Sequence, residues 1–143
     1  MNTTLFSRDT ALLVSRLALS SLFLVMGWGK LSDYAGAVAY MTQTGSPFPA
    51  LSALLAILVE LGTGIALILG LLTTPVALML AAYTVATAFI GHHFWTMTGM
   101  LRYDMTIHFY KNISIAGGLI ALAVAGPGRF ALSRIRTANT APA

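Results

Sequence analysis

The stretch ALSALLAILVELGTGIALILGLL, residues 50–72, carries a single charge, Glu60. At about 1.5 Å of rise per residue a helix of this length crosses the roughly 30 Å hydrocarbon core of a bilayer. Working outward, Thr10 to Gly29 is a second such block with one charge, Arg16, and Val76 to Trp95 is a third, opened by Thr74 and Pro75 after a break at Gly70 to Thr73. Proline in the first turn of a helix is a start signal, because its missing N–H has no helical partner there. The uncharged part of a fourth block, Asn112 to Gly126, is short, so a full span begins near Met105 and takes His108 and Lys111 into its outer turns. Gly126-Pro127-Gly128 ends it. The expected fold is an all-α integral membrane bundle of four transmembrane helices, about residues 10–29, 50–72, 76–95 and 105–126. They form one domain, residues 1–136, with a disordered tail at 137–143.

Composition agrees with this reading. The chain is 57% hydrophobic and 8% charged, whereas a soluble domain carries about a quarter charged residues. The net charge of +4 comes from Lys and Arg scattered between apolar blocks, without the basic stripe of a nucleic-acid binder. The absence of cysteine excludes disulfides, thiol redox chemistry and Cys-ligated clusters or zinc. Four spans put both termini on one side, with Arg8, Arg129, Arg134 and Arg136 against Lys30, Arg102 and Lys111 opposite. The positive-inside rule then places the termini in the cytoplasm and the protein in the inner membrane. A cleaved signal peptide fits the first block less well, since the apolar stretch is long and contains Arg16.

Charges inside spans are costly and are usually paired or face a polar cavity. Arg16, Ser20, Phe23 and Gly27 fall on one helical stripe, to which Lys30 returns. Measured from the inner ends of their spans, Arg16 lies about 9 Å deep and Glu60 about 15 Å deep. A buried Arg16–Glu60 pair that fixes helix register is therefore expected, against the alternative of a ligand-facing or proton-sensitive Glu60. Two rows of small residues, Gly62-Ala66-Gly70 and Gly117-Ala121-Ala125, are candidate helix contacts. At the outer face gather Trp28, Lys30, Asp33, Tyr34, the run Gly91-His92-His93-Phe94-Trp95, and Arg102 to Asn112. Much of this is an interfacial aromatic belt with snorkelling lysines. Lys30, His92, Lys111 and Asn112 also supply the donors that a quinone headgroup or small oxyanion needs beside an apolar wall. Adjacent histidines on a helix point about 100° apart, so no metal site is expected.

Several segments together resemble the DoxX family of small bacterial and archaeal membrane proteins. They are Arg16-Leu17 through Met26-Gly27-Trp28-Gly29-Lys30-Leu31, Glu60-Leu61-Gly62 through Leu69-Gly70-Leu71-Leu72-Thr73, Gly91-His92-His93-Phe94-Trp95, Phe109-Tyr110-Lys111-Asn112 through Gly117-Gly118-Leu119, and Gly126-Pro127-Gly128-Arg129. The resemblance runs from about Arg8 to Arg134 and implies a four-span fold. The family's name-giving member is similar to a subunit of a thiosulfate:quinone oxidoreductase, and others are linked to oxidative-stress and thiol-homeostasis complexes. The resemblance marks Arg16, Lys30, Glu60, His92, Lys111 and Asn112 as positions of interest. Thr74 stands where a basic residue is expected in the tight inner hairpin. The expected function is a membrane subunit or partner of a quinone-linked redox system, with a quinone or small-anion site at its outer face. The alternative is a non-catalytic scaffold or small-solute transporter in which Arg16 and Glu60 are a structural or gating pair. No residue supplies an electron carrier, so any enzymatic role belongs to a complex. The lipid bilayer, a redox partner protein, and a second copy of the chain are the candidate partners.

The orientation has a direct test in a Cys-free chain. Cysteines placed singly at Ser46 and Thr98 are expected to react with an impermeant thiol reagent applied from the periplasmic side, and one at Thr140 is not. The reverse labelling pattern would overturn the topology.

Overall fold

A computed structural model describes residues 7–133, so the segment expected to be a disordered tail lies outside the described residues. Helix α1 is Arg8–Ser32, α2 is Tyr34–Gln43, α3 is Pro49–Leu69, α4 is Thr73–Gly91 and α5 is Gly99–Ala125, with a 3₁₀ turn at Phe94–Thr96 before α5. Four helical segments are long and apolar enough to cross a bilayer: α1, α3, α4 extended to Thr96, and α5. The chain is an all-α bundle of four spans.

Local chemistry sets the ends. Ser7 caps α1 by accepting from the Thr10 amide at 3.2 Å. Asp33 ends α1 and caps α2, accepting from the Gly36 amide at 2.9 Å. Pro49 opens α3, and Gly70 closes it in the left-handed region at φ 70°. Two segments differ from the sequence reading. The stretch after Lys30 is not a plain loop but contains α2, which packs on α3 at the end of the bundle away from the termini; the Asp33 cap was the signal for it. Helix α5 starts at Gly99 and carries Arg102, Tyr103 and Asp104 in its first turns. At about 40 Å it outspans the hydrocarbon core, so those charged turns can stand among headgroups.

Helices α1 and α3 form one closely packed antiparallel pair and α4 and α5 the other, and α3–α4 and α1–α5 contacts close the ring. The α1 face buries Leu12, Arg16, Ser20, Phe23 and Gly27, the stripe expected from spacing. Leu67, Leu80, Leu119 and Leu122 meet Phe23 in the centre, with Ala77, Ala81, Ala116 and Ala123 filling between. Val25, Leu58 and Val124 are exposed and turn to lipid. Of the expected small-residue rows, Gly62 and Gly117 have open space over them, and Ala121 is exposed. Gly70 of the first row is in close contact with Arg16 and Ala131, and outside the rows Gly27 lies over Glu60 and Leu61 and Gly64 over Leu24. In lipid, association depends on such approaches, and helix rotation decides which glycines make them.

At the terminal end, the segment after α5 crosses beneath the bundle. Arg8 Nη2 donates to the Ala125 carbonyl at 2.8 Å, the Arg129 amide donates to Asp9 at 2.9 Å, and Ser133 Oγ donates to the Gly70 carbonyl at 2.8 Å. Gly70 is bound on all sides: a Cβ there would lie 1.9 Å from Arg16 Nη1 and 2.7 Å from Ala131 Cα. Gly70→Ala is therefore expected to cost about 1–3 kcal/mol by overpacking, beyond its backbone strain. Gly62→Ala, with space and a helical backbone, is expected to be neutral or stabilising by up to about 1 kcal/mol. Thermal midpoints in one detergent compare the two directly.

Candidate functional site

Lys30 near the end of α1 turns back into the bundle instead of out to the interface. Its Nζ donates to both carboxylate oxygens of Glu60, at 2.8 and 3.0 Å, and lies 3.4 Å from the Met26 carbonyl. Tyr83 on α4 donates its hydroxyl to Glu60 Oε1 at 2.7 Å. Three spans thus meet on one buried carboxylate, whose side chain is 7% exposed against 21% for that of Lys30. A carboxylate with two charge-assisted bonds and a phenol donor is a satisfied ion in a low-dielectric medium. Gly27 makes the approach possible, because a Cβ there would lie 3.0 Å from Glu60 Cβ and 2.9 Å from Leu61 Cγ.

The expected Arg16–Glu60 pair is not formed. Gly27 faces Glu60 and Arg16 faces Gly70, so the inner ends of the two helices are not level. Arg16 and Gly27 stand eleven residues apart on α1, which places Arg16 about 16 Å along the axis from the level of Glu60. The guanidinium is fully buried and bonds the Phe130 carbonyl at 3.2 Å instead.

The far end of α4 holds a second cluster. His92 stacks on His108 of α5, with ring centroids 5.1 Å apart and planes 23° from parallel. Its Nδ1 is buried and makes no hydrogen bond of normal geometry, with the Gly91 backbone its nearest polar neighbour. His93 turns the other way, its Nδ1 3.0 Å from the Ile90 carbonyl. The adjacent imidazoles thus diverge, and among the described residues no group of three His, Cys, Asp or Glu is placed to hold a metal. Phe89, Phe94, Trp95 and Phe109 pack edge-on or tilted beside them, with centroids 5.2–6.1 Å apart. Asn112, half-buried, lies on the α5 stripe that continues to Ala116, Leu119 and Ala123 and so faces the bundle. Lys111 instead lines an open groove of about 580 Å³ on the outer side of α5, with Thr106, Ile107, Tyr110, Ser114 and Ile115.

The sequence matches the DoxX family model over residues 11–93. It is 41% identical to the inner membrane protein YphA of Escherichia coli K12 over 128 residues, covering 90% of this chain and 91% of that one. The chain belongs to the DoxX family. A second E. coli K12 relative of this DoxX protein, the inner membrane protein YqjF, is 38% identical over 127 residues, 89% of this chain and 92% of its own. No solved structure matches. This DoxX protein is a multi-pass inner membrane protein. The family match spans Arg16, Lys30, Glu60, Tyr83 and His92, while Lys111 and Asn112 lie beyond it.

Of the candidate residues, the DoxX fold brings Lys30 to Glu60 and separates Arg16 from Glu60. The residue missed from sequence is Tyr83. A phenol in mid-span needs a partner for its hydroxyl, and that requirement was the available signal.

Glu60→Gln leaves the Lys30 ammonium without its counter-ion and is expected to cost about 3 kcal/mol, at the low end for a broken buried pair because Lys30 keeps some exposure. Lys30→Gln combined with Glu60→Gln is expected to recover part of that loss, whereas Arg16→Gln and Glu60→Gln are expected to add. Thermal midpoints of the double-mutant cycles read both.

Proposed function

We propose that this DoxX protein is a membrane subunit or partner of a quinone-linked redox system, with both termini in the cytoplasm and a quinone headgroup or small oxyanion bound where α4 ends against α5. The observation that carries this reading is the His92–His108 stack where α4 ends against α5, with His92 Nδ1 buried and making no hydrogen bond of normal geometry. A buried polar nitrogen without a partner is costly, and a quinone carbonyl or oxyanion satisfies it when Nδ1 carries the proton. The open, largely apolar groove along Thr106, Tyr110 and Ser114 faces away from the bundle, as an isoprenoid tail in lipid requires. In this reading His92 and Lys111 approach the ligand from α4 and from the groove on α5, Asn112 faces the bundle, and Lys30 is held by Glu60. In this reading the electrons come from a partner protein, and the chain's lack of cysteine leaves no thiol to carry them.

A second reading, a small-solute transporter or scaffold, is favoured by one observation, the Lys30–Glu60–Tyr83 network joining three spans. One experiment separates the two. In a Trp28→Phe background, quenching of Trp95 fluorescence by a short-tailed quinone analogue is expected to saturate. His92→Ala and Lys111→Ala are each expected to weaken it about fivefold or more, the loss of one hydrogen bond or charge contact, with little change in thermal midpoint. Absence of quinone and oxyanion binding, with the substitutions reducing only stability, would put the transporter or scaffold reading first.

A further inference from the structure

Among the described residues, Arg16 is a buried cation without a carboxylate partner. A guanidinium stays protonated in proteins, and Arg16 is 0% exposed. The chain has four acidic side chains, and each is engaged or sited elsewhere. Asp9 accepts from the Arg129 amide, Asp33 caps α2, Glu60 holds Lys30 and Tyr83, and Asp104 sits in the first turns of α5 at the opposite end. Arg16 receives one backbone carbonyl, that of Phe130, while Nε and Nη1 are buried without acceptors. A buried charge left in this state costs several kcal/mol.

A second buried donor lies at the same hairpin. Thr73 Oγ1, on a residue 3% exposed, has no hydrogen-bond partner. It opens the 19-residue helix α4, whose first turn has no side-chain cap because Leu72 occupies the N-cap position. The helix start adds amide N–H groups and the positive end of its dipole. Gly70, three residues earlier, leaves by its missing Cβ the space into which Arg16 Nη1 reaches. Guanidinium, hydroxyl and helix N-terminus are all donors or positive, and the chemical complement of that set is an oxyanion.

We propose that a phosphate-type oxyanion binds at the terminal end of the bundle, between Arg16 and the first turn of α4, beneath the segment 126–133. The same chemistry is offered by inorganic phosphate and by the phosphodiester headgroup of an anionic phospholipid. This site is separate from the His92 cluster at the far end and does not depend on it.

The test uses the full chain, purified in a neutral detergent and stripped of lipid. Its thermal midpoint is measured against inorganic phosphate, and against phosphatidylglycerol in mixed micelles with phosphatidylcholine as the uncharged control. Chloride at matched ionic strength removes general screening effects. A saturable rise in one arm is expected: with phosphate the source is the free ion, with phosphatidylglycerol alone it is the headgroup. Arg16→Gln is expected to abolish the rise, and Thr73→Val, which removes one donor and no charge, to weaken the apparent affinity about fivefold. Where Arg16→Gln does not fold, Thr73→Val decides. Failure of both arms to raise the wild-type midpoint above the controls overturns the proposal, as does a Thr73→Val titration identical to wild type.

Discussion

The ion pair between Lys30 and Glu60 sits beside a close approach of α1 to α3 at Gly27, and the rest of the bundle is arranged around the register it requires. Gly27 lets the α3 backbone approach, Lys30 one turn later folds back along α1, and Tyr83 brings α4 to the same carboxylate. Apolar contacts alone discriminate weakly between registers in lipid, because the tails are as apolar as the side chains. A carboxylate in the hydrocarbon region is different, since a register that leaves it unpaired is costly. Once Gly27 lies against Glu60, Arg16 is carried to Gly70, and among the described residues the segment after α5 supplies its acceptor, the Phe130 carbonyl.

The two ends of the molecule then have different chemistry. The far end combines an aromatic cluster, two stacked imidazoles and Lys111, with α2 covering α3. The terminal end is built from short polar links between backbone and side chains: Arg8 to Ala125, Asp9 to Arg129, Ser133 to Gly70 and Thr74 to Ala123. Thr74, where a basic residue was expected, ties the start of α4 to α5 by its hydroxyl at 3.0 Å. Between the ends, the Lys30–Glu60–Tyr83 network is internally satisfied, whereas the buried unpartnered atoms of Arg16, Thr73 and His92 lie near the two rims. Polar groups satisfied within the protein hold it together, and those that are not are the places where an external ligand gains most.

The sequence by itself determined that the chain is a four-span membrane bundle, because apolar runs longer than the hydrocarbon thickness admit no other backbone solution in lipid. It also determined the buried stripe of α1, since helical periodicity alone places Arg16, Ser20, Phe23, Gly27 and Lys30 on one face. The family resemblance marked Lys30 and Glu60 as residues of interest without joining them. Only the tertiary structure decided that they pair, that Tyr83 is their third partner, and that Gly27 and Gly64 rather than Gly62 and Gly117 make close contacts. The physical reason is that periodicity fixes which residues share a face but not how far one helix slides past another. The offset between α1 and α3 is set by interhelical packing and charge pairing: level span ends would leave Arg16 about 6 Å in depth from Glu60, and the slide that occurs leaves it about 16 Å away.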